Sequence, residues 1–173
     1  SDDCSDAGWQ VVSVDADQAN TWSCSAAFSN ADVNGFGDTA AADEWLITPA
    51  LDMDAQVDDA LNFDSFTNFT DAAYPQLEVV YSTDYDGAGD PTVATWTALS
   101  GITFSPEGSG EYTPSGTIDL SGISGSNVYF AFHYTSSGTS GGSAATWRID
   151  SVEFAVDDGI VVEPTTALIH EIQ

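Results

Sequence analysis

The stretch ALNFDSFTNF at 60–69 places Leu61, Phe63, Ser65, Thr67 and Phe69 on one side and polar residues between most of them. A repeat of two matches the pleat of a half-buried strand and not the 3.6-residue turn of a helix. The same character returns in WQVVSV (9–14), EWLITP (44–49), QLEVVYST (76–83), ATWTAL (94–99), NVYFAFHYT (127–135) and TWRIDSVEFAV (146–156). In the last of these, Trp147, Ile149 and Ser151 are expected to oppose Arg148, Asp150 and Val152. Clusters of Gly, Ser, Asn and Asp at 29–43, 84–92, 105–117 and 136–145 separate the runs and read as connections. Only DMDAQVDDA (52–60) could form a short helix. Many short strands with turn signals between them predict an all-β antiparallel sandwich or jelly roll.

Charge narrows the functions open to such a fold. The chain carries 28 Asp and Glu against one basic residue, Arg148, a formal net charge of −27. Self-repulsion on this scale destabilises a compact state, so screening salt and bound cations are the expected remedies. Direct nucleic-acid binding is not expected, because it rests on Lys and Arg neutralising phosphates. An anionic membrane surface is not expected on the same ground, and no apolar run is long enough to span a bilayer. With 42% hydrophobic residues the chain can nonetheless bury a core. Cys4 and Cys24 would form a disulfide tying the N-terminal tail to a following strand, or remain two free thiols; the composition favours an exported, disulfide-permissive setting. The expected organisation is one monomeric β-domain over 1–157, then a linker around Pro164 and, in ALIHEIQ, the first strand of a following domain within 158–173. With Ser1 in first place, the chain is expected to be a mature or excised piece of a longer one.

No catalytic constellation emerges. A serine hydrolase needs a His base, and the candidates are His133, inside a strand, and His170, in the tail; no G-x-S-x-G elbow is present. His170 and Glu171 lack the second His of a zinc helix. A mid-strand His between aromatics reads as packed or surface-facing.

Calcium chemistry has more support, since the ion takes six to eight oxygens from carboxylates, amides, carbonyls and water. Asp15 and Asp17 lie two apart at a strand end and can share an ion, with Asn20 close behind; a polar turn is the alternative. Asp43 and Glu44 could complete the shell or cap their strand. Asp150 sits among Trp147, Ile149 and Val152 and needs a partner if buried; first and last strands lying side by side would carry it to the 15–17 loop. Asp84, Asp86 and Asp90, set around Gly87 and Gly89 in STDYDGAGDP, are secondary candidates, although Asp and Gly are also what a hairpin turn needs. A carbohydrate-binding module is the alternative function, with Tyr74, Tyr85, Tyr112 and Trp96 as possible stacking platforms.

The order of motifs carries a family resemblance. W-x-x-x-x-x-D-A-D at 9–17, N-x-W at 20–22, D-E-W-L-I-T-P-A-L at 43–51, L-x-F at 61–63, L-E-V-x-Y-S-T-D at 77–84, V-Y-F-A-F-x-Y at 128–134 and W-R-I-D-S-V at 147–152 together resemble the cleaved-adhesin or MAM-like domain, of the choice-of-anchor J type, over residues 8–156. The fold this implies is a galactose-binding-like jelly roll in a secreted bacterial protein. NGFGDTAAADEWLITP, STDYDGAGDPTVATWT and ALIHEIQ further resemble the N-terminal accessory region of extracellular nucleases of marine bacteria, which carry an endonuclease/exonuclease/phosphatase domain. The resemblance implies a non-catalytic accessory or adhesion module with a cell-surface or polysaccharide ligand. It also implies structural calcium near the D-A-D motif, carried over to Asp15 and Asp17 with Asp43 or Glu44 and Asp150. DADQAN departs from the commoner D-A-D-G-D-G: Gln18 and Asn20 stand in place of a glycine and the third aspartate.

Overall fold

The computed structural model describes residues 4–16, 18–25, 30–55, 59–69, 75–136 and 144–155. Within them run eleven strands: β1 (Gln10–Ser13), β2 (Ser23–Ser25), β3 (Asn30–Asn34), β4 (Asp43–Ile47), β5 (Ala60–Asn68), β6 (Leu77–Ser82), β7 (Thr97–Ala98), β8 (Tyr112–Pro114), β9 (Ile118–Asp119), β10 (Tyr129–Thr135) and β11 (Thr146–Ala155). One sheet has the order β1-β4-β10-β6-β7; the other has β2-β3-β11-β5-β8, with β9 also pairing β5. All pairings are antiparallel, so the expected all-β sandwich is the observed class.

The period of two in β5 is realised: Leu61, Phe63, Ser65 and Thr67 are buried, and their neighbours are half-exposed. Phe69 does not join them. Its φ of 65° ends the strand and leaves the ring 61% exposed. Aromatic contacts fasten the two sheets face to face. Phe63 of β5 meets Phe132 of β10 edge-on at 5.1 Å, and Phe154 of β11 meets Phe130 of β10 at 5.0 Å. Trp9, Leu46, Leu77, Val79, Trp147 and Ile149 complete this interior.

β3 lies inside a stretch expected to be a loop. Its Asn30, Asp32 and Asn34 mask an alternation in which Ala31 and Val33 point inward. β8 and β9 likewise fall in or beside turn-rich sequence. The possible helix at 52–60 is not found where residues are described: Met53–Ala55 form bends, and Ala60 opens β5; 56–58 lie outside the described residues.

Two expectations about β11 are corrected. β1 is the edge strand beside β4 in one sheet, whereas β11 lies between β3 and β5 in the other. The first and last strands are therefore not neighbours. The alternation along β11 also breaks: Ser151, at φ 52°, forms a bulge between Asp150 and Glu153. The extra residue shifts the pleat, so Ser151 is exposed and Val152 fully buried.

Outside the interior, residues 82–96 fold over the outer face of the first sheet. There Tyr85, 4% exposed, packs in a second cluster with Trp45, Ile47, Val80 and Ala131, and Trp96 and Tyr129 cover it.

Cys4, in a short 3-10 turn (Cys4–Ala7), is bonded to Cys24 of β2, closing a loop of 20 residues. Replacing both by Ser should lower the unfolding free energy in urea by about 3 kcal/mol through the released chain entropy. A change well under 1 kcal/mol would mean that packing of Trp9 alone docks the N-terminal segment.

Candidate metal centre

β4 splits the neighbouring acids Asp43 and Glu44, because successive strand side chains point to opposite faces. Leu46, two residues on from Glu44, lies in the interior, while Trp45 and Ile47 lie in the outer cluster. Glu44 therefore points inward and is fully buried, at 0% exposure. Asp43 points outward. Its Oδ1 accepts a hydrogen bond from Trp45 Nε1 at 2.9 Å and lies 2.7 Å from His133 Nε2. These hydrogen bonds, that of His133 above all, hold the Asp43 carboxyl below the usual carboxylate range. His133 also stacks on Trp45 with centroids 3.9 Å apart.

Around Glu44 the end of the sandwich gathers oxygen. Ser13 Oγ, from the strand paired with β4, donates to Glu44 Oε1 at 2.8 Å. Glu44 Oε2 is buried with no hydrogen-bond partner among the described residues. Burial, first, then a hydrogen bond that the protonated carboxyl shares with Asp15, and the charges of Asp15 and Asp38, push the Glu44 carboxyl up to about 8. Two facing carboxylates offer each other only acceptors, so Oε2 needs either a proton or a cation.

The 15–20 turn approaches from β1. Asp15 Oδ1 accepts from Gln18 N at 2.6 Å, and Asp15 Oδ2 from Asp43 N at 3.4 Å. Gln18 and Asn20 both have positive φ, 52° and 50°. Asn20 Nδ2 donates to Phe36 O at 3.1 Å and to Asp38 Oδ1. Asp38, only 2% exposed, completes the neighbourhood from the loop after β3.

Of the residues expected to share an ion, Asp15, Asn20 and Glu44 are thus drawn together. Asp17 lies outside the described residues. Asp43 is turned away by the pleat, and Asp150 is in the other sheet, beside Arg148. Asp38 was missed in the sequence; its signal was a short acid in a Gly-rich loop, indistinguishable there from an ordinary turn residue. The structure finds no ready-made group of three or more His, Cys, Asp or Glu among the described residues. An ion here would accordingly draw on mixed oxygens, including the Asn20 amide and carbonyls such as Phe36 O, as calcium accepts.

The aspartates of STDYDGAGDP are committed separately. Asp84 Oδ1 accepts from Ser82 Oγ and Thr95 N, both at 2.8 Å; Asp86 Oδ1 from Ala88 N at 3.0 Å; Asp90 Oδ1 from Thr92 N at 2.9 Å, capping a 3-10 turn (Pro91–Val93). Hydrogen bonds to Thr95 and Thr92 lower the Asp84 and Asp90 carboxyls. Each is a turn acceptor, and they do not converge on one point.

The fold is that of an all-β antiparallel sandwich domain. The family model described as "Domain of unknown function (DUF5017)" matches residues 51–169, and the chain belongs to that family. Among solved structures, the K1 cleaved adhesin domain of Lys-gingipain from Porphyromonas gingivalis W83 is similar at 17% identity and TM-score 0.50, over 86% of this chain and 90% of that one. The K3 domain of the same protein is similar at 16% identity and TM-score 0.46, over 85% and 90%. TmCBM61 in complex with β-1,4-galactotriose is similar at 6% identity and TM-score 0.40, over 87% and 89%. The likeness to the K1 domain bears on the fold alone. No curated protein matches the chain.

The raised Glu44 carboxyl sets a pH dependence. With chelator present, the folded state keeps this proton between about 4.5, the ordinary value, and about 8, while the unfolded chain loses it. Its stabilising contribution is full below the lower value and is lost as pH rises to the upper one. Glu44→Gln imitates the protonated form, so its stability relative to wild type should grow from pH 5 to pH 8 by roughly 2 to 4 kcal/mol. Parallel pH profiles in urea would refute the assignment.

Proposed function

We propose that this domain is a non-catalytic, calcium-stabilised attachment module of a secreted protein. The observation that carries the reading is the fully buried Glu44 set against Asp15, where Oε2 meets no donor from another described residue and only a proton of its own or a cation can link the two carboxylates. A divalent cation bound by Glu44 and Asp15, with the Asn20 amide and loop carbonyls such as Phe36 O, would replace the missing donor and offset the repulsion among carboxylates. It would also join the turn after β1 to the loop after β3 and to β4, closing one end of the sandwich. Calcium suits these ligands because it accepts carboxylate, amide and carbonyl oxygens in irregular numbers.

The non-catalytic part of the reading is supported by the way His133 is used. Its Nε2 is engaged with Asp43 and its ring lies flat on Trp45. The resemblance of NGFGDTAAADEWLITP and STDYDGAGDPTVATWT to marine extracellular nucleases supports an accessory place in such a parent chain.

The test is thermal unfolding in EDTA, in millimolar calcium, and in sodium chloride of equal ionic strength, since a chain of net charge −27 responds to any salt. Calcium should raise Tm beyond the matched salt, corresponding to about 2.7 kcal/mol at a hundredfold excess over Kd. Glu44→Gln and Asp15→Asn should each abolish that excess. An identical Tm in calcium and matched salt would refute calcium binding.

A further inference from the structure

The only basic side chain in the sequence sits in the middle of an outer sheet face. In the second sheet, residues Ser23, Asp32, Arg148, Phe66 and Tyr112 stand opposite one another across five successive strands. Same-face neighbours two residues along, Asn30 and Asp150, flank this row. The cavity over the row has a volume of about 620 Å³, within the usual range for small-molecule sites.

Its walls are held in place before any ligand arrives. Arg148 lies with Cζ 4.7 Å from the centre of the Phe66 ring, and Phe66 in turn packs on Tyr112 at 5.3 Å. Tyr112 Oη accepts from Asn30 Nδ2 at 3.0 Å, although β11 and β5 lie between their strands. Three strand spacings amount to about 14 Å between backbones, so the two side chains reach toward each other across the face and bound the cavity. It fixes a Tyr112 ring that remains 42% exposed. Asp32 is positioned by Ser23 Oγ at 3.1 Å, and Asp150 by Ser151 N at 2.6 Å at the bulge.

Despite flanking carboxylates, Arg148 forms no ion pair among the described residues. Its N–H donors and the Asp32 and Asp150 acceptors are therefore presented side by side, next to an exposed ring. A ligand suited to this face has an apolar side to lie on Tyr112, and hydroxyls that donate to the carboxylates and accept from the guanidinium. It carries no net negative charge, because Asp32, Asp150 and the chain as a whole repel anions. A cationic group could not accept from the Arg148 guanidinium at the centre. We infer that this concave face is a binding site for a neutral saccharide, with Arg148 and Tyr112 as its principal contacts. It specifies the attachment ligand of the proposed module, yet does not require the cation, since the two sites lie in different sheets.

The test is an array of defined glycans, in which neutral hexose oligomers stand beside uronate and sulfated ones, read in calcium-containing buffer. Neutral members should be retained and anionic ones not. Arg148→Met, which keeps the apolar stem on Phe66, and Tyr112→Ala should each weaken retention at least tenfold while Tm stays near wild type. Retention of no neutral glycan by the wild type, preference for anionic glycans, or undiminished binding by both variants would overturn the inference. Should calcium fail to raise Tm, the array result still reports on this face alone.

Discussion

The aromatic seam between the sheets is the contact on which the rest of the molecule depends. Phe63 against Phe132, and Phe130 against Phe154, commit one side of β5, β10 and β11 to the interior. Once those sides are taken, the pleat sends every alternate residue outward. Arg148, Asp150 and Phe66 thus meet on one outer face, and Asp43, Trp45 and His133 on the other. Glu44 is the exception, an acid whose register puts it on the inner side.

Carboxylate crowding is managed mainly by distribution. Asp52, Asp84, Asp86, Asp90 and Asp119 each accept a backbone N–H in a turn, and at Asp84, Asp90 and Asp119 the hydrogen bonds hold the carboxyl below its ordinary range. Burial has the opposite effect at two acids: Glu44, and Asp150, whose carboxyl is raised by desolvation despite its bonds to Ser151. One borders the candidate cation site and the other lines the concave face. Acids placed against apolar surroundings mark functional candidates more sharply than acids clustered along the chain.

STDYDGAGDP shows the first of these patterns, carboxylates accepting in turns. Close spacing made its aspartates conspicuous, but a turn of Asp and Gly consumes the carboxylates locally. Its apolar content matters more than its charge. Tyr85 is buried in the outer cluster, and the half-buried Trp96 packs on it while donating Nε1 to Pro91 O at 2.8 Å. Of the aromatics considered for sugar stacking, Tyr112 is the one left exposed on a concave face; Tyr74 lies outside the described residues.

From the sequence alone, the class of fold follows, because alternation in runs such as ALNFDSFTNF can be satisfied only by half-buried strands. The Cys4 and Cys24 pairing was one of two open readings, and the bond is present in the structure. Asp15, Asn20 and Glu44, singled out in the sequence as candidates, lie at one end of the sandwich, since spacing along one turn or strand is a local property. Which acids meet across the fold was decided by tertiary structure. Strand order separated β1 from β11, the pleat parted Asp43 from Glu44, and the bulge at Ser151 reversed the end of the last strand. The loop after β3 brought in Asp38. Each of these depends on contacts between residues far apart in the chain, and pairing register and strand order leave no trace in the local pattern of any one strand.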